Sequence, residues 1–225
     1  MTFSHHHVGL VFLVGMVVTA EANDSVPERA PKPEVVALAL RATSCAEASG
    51  LVPRSDLVTV IDYSLPSTQT RLWVLERETG RVLFRELVTH GMETGEDYAG
   101  RFSNRPGSHQ TSLGLFVTGS PYHGANGYSL RLDGLEPGIN HLARERAIVM
   151  HGAPYATAAF ASKHGRLGRS WGCPAVRPSV TRELIDEIQG GTTLFAYYPD
   201  KEWLARSRFL KECHAAKAET RSTAP

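Results

Sequence analysis

The residues best suited to chemistry in this sequence are one cysteine and one histidine, each next to a glycine. Cys173 stands between Gly172 and Pro174, which predicts a thiol on a tight turn with exposed backbone N–H groups. His151 ends the apolar run 147–150 and precedes Gly152, which predicts an imidazole at a strand end facing a loop. Such a pair can do acyl transfer through a thioester: the imidazole takes the thiol proton and later protonates the departing amine, while turn amides stabilise the oxyanion.

Each of these residues also has a structural interpretation. A cysteine of an exported protein is more often bridged or inertly buried than catalytic, and a histidine at a strand end is often only a hydrogen-bonding residue. Cys45 lies in an N-terminal segment and Cys213 in a C-terminal one, so they can pair if the termini meet, which would leave Cys173 free. The sequence leaves open whether that disulfide forms.

The elements that must position the pair are mostly strands. Runs rich in β-branched and aromatic residues predict strands at 57–63, 71–75, 81–88, 115–118, 128–132, 147–150 and 192–198. The turn residues 78–80 favour a hairpin between the second and third strands. Only 35–48 and 179–188 predict helices, so the fold class is mainly β (α+β), with mostly antiparallel strands and few short helices. The absence of alternating strands and helices argues against a dinucleotide-binding fold.

Composition and the terminal segments predict one exported domain. A chain of 225 residues with 42% apolar residues is sufficient for a single core. The apolar run 8–20, followed by a small-x-small site, predicts a signal peptide over 1–22, with an uncleaved anchor as the alternative. We expect a proline-rich linker over 23–34, the folded domain over 35–210 and a mobile polar tail over 211–225. We therefore expect the protein to be periplasmic or otherwise exported, with no stable membrane anchor after the signal peptide is cleaved.

Charge and histidine spacing argue against two classes of partner. The 24 basic and 23 acidic residues nearly balance, which disfavours a nucleic-acid partner. The histidines at 90, 109, 123 and 141 lack the spacing of metal ligands, so we predict neither a metal nor an organic cofactor. The long polar stretch 91–114 is typical of a binding loop or lid.

At the level of motifs, the sequence resembles a known family. His151-Gly152 followed by Ser170-Trp171-Gly172-Cys173 resembles the paired signature of the L,D-transpeptidases, and is most similar to a divergent YkuD-like branch of murein L,D-transpeptidase catalytic domains. The resemblance extends over roughly 35–203 and includes the segments 61–64, 89–91, 102–104, 112–116, 130–134 and 168–176.

The resemblance implies a β-rich transpeptidase fold and a two-step reaction on peptidoglycan stem peptides. The Cys173 thiolate would attack the carbonyl that joins an L-centre diamino acid to a terminal D-alanine, which then leaves. Another amine would take the acyl group. His151 would be the base, oriented by the backbone carbonyl of Gly152.

The resemblance also implies roles for the residues around the nucleophile. Ser170 and Trp171 would shape the acyl pocket, and the N–H groups of Gly172 and Cys173 would donate to the oxyanion. Trp171 occupies the position of a second histidine in the commoner signature, so the basic function falls on His151 alone.

Four residues further away are candidate substrate contacts. His90 and His109 would line the donor cleft, although solvated loop histidines are an equal alternative. Tyr122 would contact substrate, or else be an exposed turn aromatic. The arginine usually found two residues after the cysteine is replaced by Ala175, which leaves Arg177 as the candidate for binding a substrate carboxylate.

Three functions therefore remain open at this stage. The first is L,D-transpeptidation by a monomer, and the second is an L,D-carboxypeptidase or amidase that uses water as acceptor. The third is a cell-wall-binding domain that has lost catalysis, against which the presence of both Cys173 and His151 argues.

Overall fold

A computed structural model of the protein describes Met1, residues 29–211 and Cys213. Apart from Met1, the predicted signal peptide over 1–22 lies outside the described residues, as do linker residues 23–28 and residues 212 and 214–225 of the predicted tail. No helix in the described part of the chain has the length and apolar character needed to cross a membrane.

The described chain contains eight strands and four α-helices. The helices are α1 (Pro33–Ala48), α2 (Ala158–His164), α3 (Pro178–Ile188) and α4 (Lys201–Arg206), with a short 3-10 turn at Pro154–Ala156. The strands are β1 (Leu57–Asp62), β2 (Leu72–Glu76), β3 (Val82–Glu86), β4 (Gly114–Gly124), β5 (Gly127–Gly134), β6 (Val149–Gly152), β7 (Ala175–Val176) and β8 (Thr193–Tyr197).

All eight strands form one mixed sheet in the order β3-β2-β1-β8-β4-β5-β6-β7. Most neighbours are antiparallel, including the predicted β2–β3 hairpin, whereas β1–β8 and β6–β7 are parallel. The mainly β fold class with few short helices is thus confirmed. The sequence did not predict α2, α4 or the two-residue β7, because such short elements carry too little periodic signal.

The two edges of the sheet meet near β7. Beyond the end of β3, Thr89 donates its backbone N–H to the carbonyl of Ala175 at 2.9 Å, and the Ala175 N–H returns a bond to Thr89 Oγ1 at 3.0 Å. A parallel bridge between Gly91 and Ser170 continues this contact. The chain after β3 therefore lies along β7 and the cysteine turn, and forms one wall of the candidate site.

The core is built from the inner sheet face and two amphipathic helices. Strand β1 is buried at every residue, and four of its six residues are apolar. Helix α1 buries a stripe that lies over β1, and α3 buries a stripe against β4, β5 and β6. Because α3 packs on β6, it fixes the strand that carries His151.

A disulfide joins α1 to the C-terminal segment. The Cα atoms of Cys45 and Cys213 are 5.4 Å apart and their sulfurs are bonded, whereas Cys173 is a free, buried thiol. The pairing that the sequence left open is therefore present, and it leaves the candidate nucleophile reduced.

Candidate active site

Ser170 and Gly172 hold the turn that presents Cys173. The Ser170 hydroxyl donates to the Cys173 carbonyl at 2.7 Å and accepts the Gly172 N–H at 3.1 Å. Gly172 has φ of +123°, and a Cβ there would lie 2.8 Å from the Gln110 carbonyl oxygen and from an Ile148 methyl. Only glycine fits this position, and its N–H is already directed at Ser170. The Cys173 N–H makes no hydrogen bond to any described residue.

The Cys173 sulfur lies against the start of β6. It accepts the Val149 N–H at 3.5 Å, and its S–H donates to the Ala147 carbonyl at 3.6 Å. Ala147 has φ of +54°, a conformation that residues other than glycine adopt mainly where a site requires it. Burial raises the pKa of the Cys173 thiol, while the Val149 N–H and the charge of Arg146 oppose that rise. Cys173 as a whole is 8% exposed, so its thiol is shielded from solvent.

His151 lies one step further along the same ladder. It pairs with Ala175 on β7, and its backbone N–H donates to the Pro174 carbonyl at 3.4 Å. The imidazole Nδ1 is 3.0 Å from the Gly152 carbonyl oxygen, so Nδ1 carries the proton and Nε2 is the basic nitrogen of the neutral ring. Burial lowers the pKa of His151, which keeps the ring neutral near pH 7.

Gly152 brings α3 close to this strand. A Cβ on Gly152 would lie 2.4 Å from Thr181 Oγ1, so a side chain here would push α3 away from β6. The glycine that follows His151 is thus required for packing, and its carbonyl is the group that contacts Nδ1.

Arg146 is a functional candidate that the sequence did not single out. Its guanidinium is half-buried and donates to the Ser103 carbonyl at 2.7 Å, to Ser108 Oγ at 3.2 Å and to the Gln110 carbonyl. Burial lowers the pKa of Arg146, and the nearby Cys173 thiolate opposes that shift. One arginine therefore holds the long loop beside the nucleophile and supplies positive charge there. No local pattern distinguishes it from the neighbouring surface arginines.

The long loop packs directly on the cysteine turn. Thr111 Oγ1 accepts the Gly91 N–H at 3.0 Å and donates to the Gly172 carbonyl at 3.2 Å. The His109 ring stacks on the indole of Trp171 with centroids 5.3 Å apart, and Trp171 is 71% exposed. Residues 91–114 up to β4 form no helix or strand, in agreement with the prediction of a long loop.

Two predicted substrate contacts are bonded inside the protein. His90 is buried; Arg71 Nη2 lies 2.9 Å from its Nδ1, and its Nε2 lies 3.2 Å from the Gly95 carbonyl oxygen. Burial and the neighbouring Arg71 charge lower the pKa of His90 to about 3. Arg177 makes a bidentate pair with the Glu86 carboxylate, at 2.9 Å for both bonds. Both side chains therefore hold neighbouring strands in place.

The third of these candidates, Tyr122, lies on the other side of β6 from the cysteine turn. Its half-buried ring lies under the guanidinium of Arg131, 4.1 Å from the ring centroid, and lines a small cavity with Ala147 and Val149. The same two residues contact the Cys173 sulfur on their other side.

The remaining histidines do not converge. His109 stacks on Trp171, His123 contacts the Tyr128 ring, and His141 Nδ1 accepts the Gly138 N–H. Within residues 29–211, no group of three or more His, Cys, Asp or Glu side chains is arranged to hold a metal ion.

Comparisons with solved structures return distant relatives. An L,D-transpeptidase from Mycobacterium smegmatis is 14% identical, with 64% of this chain and 59% of that chain covered and a TM-score of 0.41. The helical cell shape determining protein Pgp2 from Campylobacter jejuni is 11% identical, with 72% and 57% covered and a TM-score of 0.45. An L,D-transpeptidase from Xylanimonas cellulosilytica is 18% identical, with 76% and 100% covered and a TM-score of 0.36. The chain spans less than two thirds of the length of the first two.

No curated protein sequence matches the chain. A family model described as the L,D-transpeptidase catalytic domain matches residues 28–197. The matched range covers most of the chain and contains both His151 and Cys173, and on this match the protein belongs to the L,D-transpeptidase catalytic domain family.

Proposed function

We propose that this protein is an exported cysteine acyltransferase of peptidoglycan stem peptides, with Cys173 as nucleophile and His151 as base. One observation carries the proposal: the free thiol of Cys173 contacts the first residue of the strand that carries His151. The remaining cysteines form a disulfide, so the nucleophile stays reduced in an oxidising compartment.

In the first half-reaction the His151 Nε2 takes the thiol proton as sulfur attacks the carbonyl before the terminal D-alanine. The contact of Nδ1 with the Gly152 carbonyl supports this role, because it leaves Nε2 as the acceptor. The resulting imidazolium gives the proton to the amide nitrogen, and the C–N bond breaks. D-alanine departs, and the acyl group remains on Cys173 as a thioester.

The unbonded Cys173 N–H is the better oxyanion donor of the two that the sequence predicted. The Gly172 N–H already donates to Ser170, so we assign Gly172 and Ser170 to shaping the turn. In the second half-reaction an acceptor amine attacks the thioester, His151 takes a proton from that amine, and the thiol is restored.

We assign Trp171 and Tyr122 as substrate contacts on either side of the nucleophile. Trp171 is a large exposed aromatic side chain next to Gly172, and an indole stacked on His109 offers a flat surface to a peptide or sugar. His90 and Arg177 enter the proposal as residues that hold the walls of the site, since their polar atoms already have protein partners.

The first test is covalent labelling by a carbapenem. The purified mature protein should gain the mass of one carbapenem, and Cys173→Ala should gain none. His151→Ala should acylate about 100-fold or more slowly, because a positioned base contributes at least this factor. The double variant Cys45→Ser/Cys213→Ser should still be labelled. An unlabelled wild type, or an adduct on Cys173→Ala, would contradict the proposal.

The second test identifies the acceptor. Defined tetrapeptide muropeptides are incubated with the wild type and with Cys173→Ala, and the products are analysed by mass spectrometry. A transpeptidase releases D-alanine and makes cross-linked dimers, whereas a carboxypeptidase makes only tripeptides. Binding to sacculi without either product would instead favour an inactive wall-binding domain.

A further inference from the structure

One face of the sheet next to the nucleophile carries an arginine that the reaction above does not use. In the β4–β5 ladder Tyr122 pairs with Ser129, and in the β5–β6 ladder Ser129 pairs with His151 and Arg131 pairs with Val149. Paired residues, and residues two apart on a strand, project to the same face of a sheet. Tyr122 and Arg131 therefore share a face with His151.

Arg131 has no acidic partner. Its guanidinium lies 4.1 Å from the centroid of the Tyr122 ring, and its hydrogen bond to the Ser120 carbonyl is long, at 3.4 Å. No Asp or Glu among the described residues lies within ion-pair distance of it, whereas nearby Arg144 is paired with Asp133. A planar guanidinium stacked on an aromatic ring is held in place with its N–H edge free for a planar anion.

A cavity lies beside this arginine. It has a volume of about 170 Å³ and is lined by Tyr122, Arg131 and Arg144 together with Ala147 and Val149. Ala147 and Val149 also hold the Cys173 sulfur, so the cavity and the sulfur flank the same short segment. Since a water occupies about 30 Å³, the cavity has room for one small amino-acid residue.

We propose that Arg131, supported by Tyr122, binds a substrate carboxylate next to the bond that Cys173 breaks. This inference rests on the proposed function, because it names a subsite of the same reaction. Arginine pairs with carboxylates through two parallel N–H···O bonds, which fixes position as well as charge. The stem peptide offers the carboxylate of its terminal D-alanine, and a diamino acid with an acidic side chain would offer a second.

The experiment compares three tetrapeptides: one with free carboxylates, one amidated at the terminal D-alanine and one amidated on the diamino-acid side chain. The proteins are the wild type, Arg131→Met, Arg131→Lys and the control Arg41→Met, which removes an exposed arginine of α1 that does not line the cavity. D-alanine or D-alaninamide release gives kcat/KM for each combination.

Arg131→Met should lower kcat/KM for the free peptide about 10- to 100-fold, the effect expected for a charge-assisted bidentate contact. Arg131→Lys should lose less, and Arg41→Met should stay within about threefold of the wild type. Amidating the recognised carboxylate should lower kcat/KM of the wild type by a similar factor. It should barely change kcat/KM of Arg131→Met. The peptide that shows this behaviour identifies which carboxylate is bound.

Alkylation of Cys173 by neutral iodoacetamide should proceed at the same rate in the wild type and in Arg131→Met, which would show that the variant retains its fold. The inference would be overturned if amidation lowered kcat/KM equally in the wild type and in Arg131→Met. An unchanged kcat/KM of Arg131→Met for the free peptide would also overturn it.

A binding measurement in the Cys173→Ala background separates the two proposals. If the wild type does not turn over any peptide but the free peptide still binds in an Arg131-dependent way, the proposed function fails and the carboxylate site stands. If binding is independent of Arg131, the carboxylate site fails.

Discussion

At the residue scale, burial favours the neutral form of both Cys173 and His151. It raises the pKa of the thiol and lowers the pKa of the imidazole, so both groups are neutral at rest. A preformed thiolate–imidazolium pair would need the opposite shifts. These directions fit the general-base role that we propose for His151, in which the imidazole takes the thiol proton during attack on the substrate.

The pH dependence of acylation follows from this state. The neutral form of His151 is the active base, and its lowered pKa keeps that form present below the ordinary histidine value of 6.5. We expect the rate of carbapenem acylation to rise with pH along an acid limb whose midpoint lies below 6.5. The measurement is the acylation rate from pH 4.5 to 8. A midpoint above 6.5, or the same limb in His151→Asn, would contradict the assignment.

At the scale of elements, the β6 strand and the long loop meet at the cysteine turn. The N–H groups of His151 and Ala153 bond to carbonyls of Pro174 and Val176, and the Val149 N–H bonds to the Cys173 sulfur in the same series. The sulfur thus takes the place of a backbone oxygen at the end of a parallel ladder. The strand supplies a fixed N–H donor to the sulfur.

Arg146 holds the long loop over this ladder, so replacing Arg146 should disturb both the loop and the cysteine sulfur at the end of the ladder. In Arg146→Met the loop loses its bonds to Ser103, Ser108 and Gln110, and the sulfur loses a nearby positive charge. We expect the pKa of the Cys173 thiol to rise and proteolysis within 101–112 to increase. Iodoacetamide alkylation as a function of pH reports the first effect, and limited proteolysis reports the second.

Arg105→Met is the matched control for this prediction. Arg105 is exposed, lies in the same loop and makes no side-chain bond to a described residue. Its replacement should leave both readouts unchanged. A thiol pKa that stays constant in Arg146→Met would show that the arginine charge does not act on the sulfur.

At the scale of the whole molecule, two connections join parts of the chain that are distant in sequence. The chain after β3 bonds to β7 and closes the sheet edges, and the bidentate pair of Glu86 and Arg177 joins the same two regions. Far from the site, the disulfide joins α1 to the segment after α4 across a sequence separation of 168 residues. The first connection holds one wall of the candidate site, and the second closes a long loop of the chain.

The disulfide should therefore affect stability without affecting chemistry. Closing so long a loop stabilises a protein by typically 2–4 kcal/mol, and each 1 kcal/mol shifts the Tm of a protein of this size by about 2–4 °C. We expect Cys45→Ser/Cys213→Ser to have a Tm lower by about 4 °C or more and an unchanged carbapenem acylation rate. Thermal unfolding with and without reductant is the measurement. A wild-type Tm that reductant leaves unchanged would contradict the prediction.

The sequence by itself determined the main elements and the candidate catalytic pair. Local runs of β-branched residues predicted seven of the eight strands, and the glycines beside His151 and Cys173 indicated where a strand end and a turn would place an imidazole and a thiol. These features are encoded within a few residues, so they can be read without the fold. The motif also resembled the family to which the chain belongs.

Only the tertiary structure decided which polar side chains are free and which are bonded. An arginine or histidine has the same letter whether it is buried against a partner or open to a ligand, because its partners come from distant parts of the chain. The sequence proposed His90 and Arg177 as substrate contacts, and the structure shows that their side chains bond to Arg71 and Glu86. Arg131 has no acidic partner among the described residues and lines a cavity with Ala147 and Val149, which also contact the Cys173 sulfur; sequence spacing alone does not encode this arrangement.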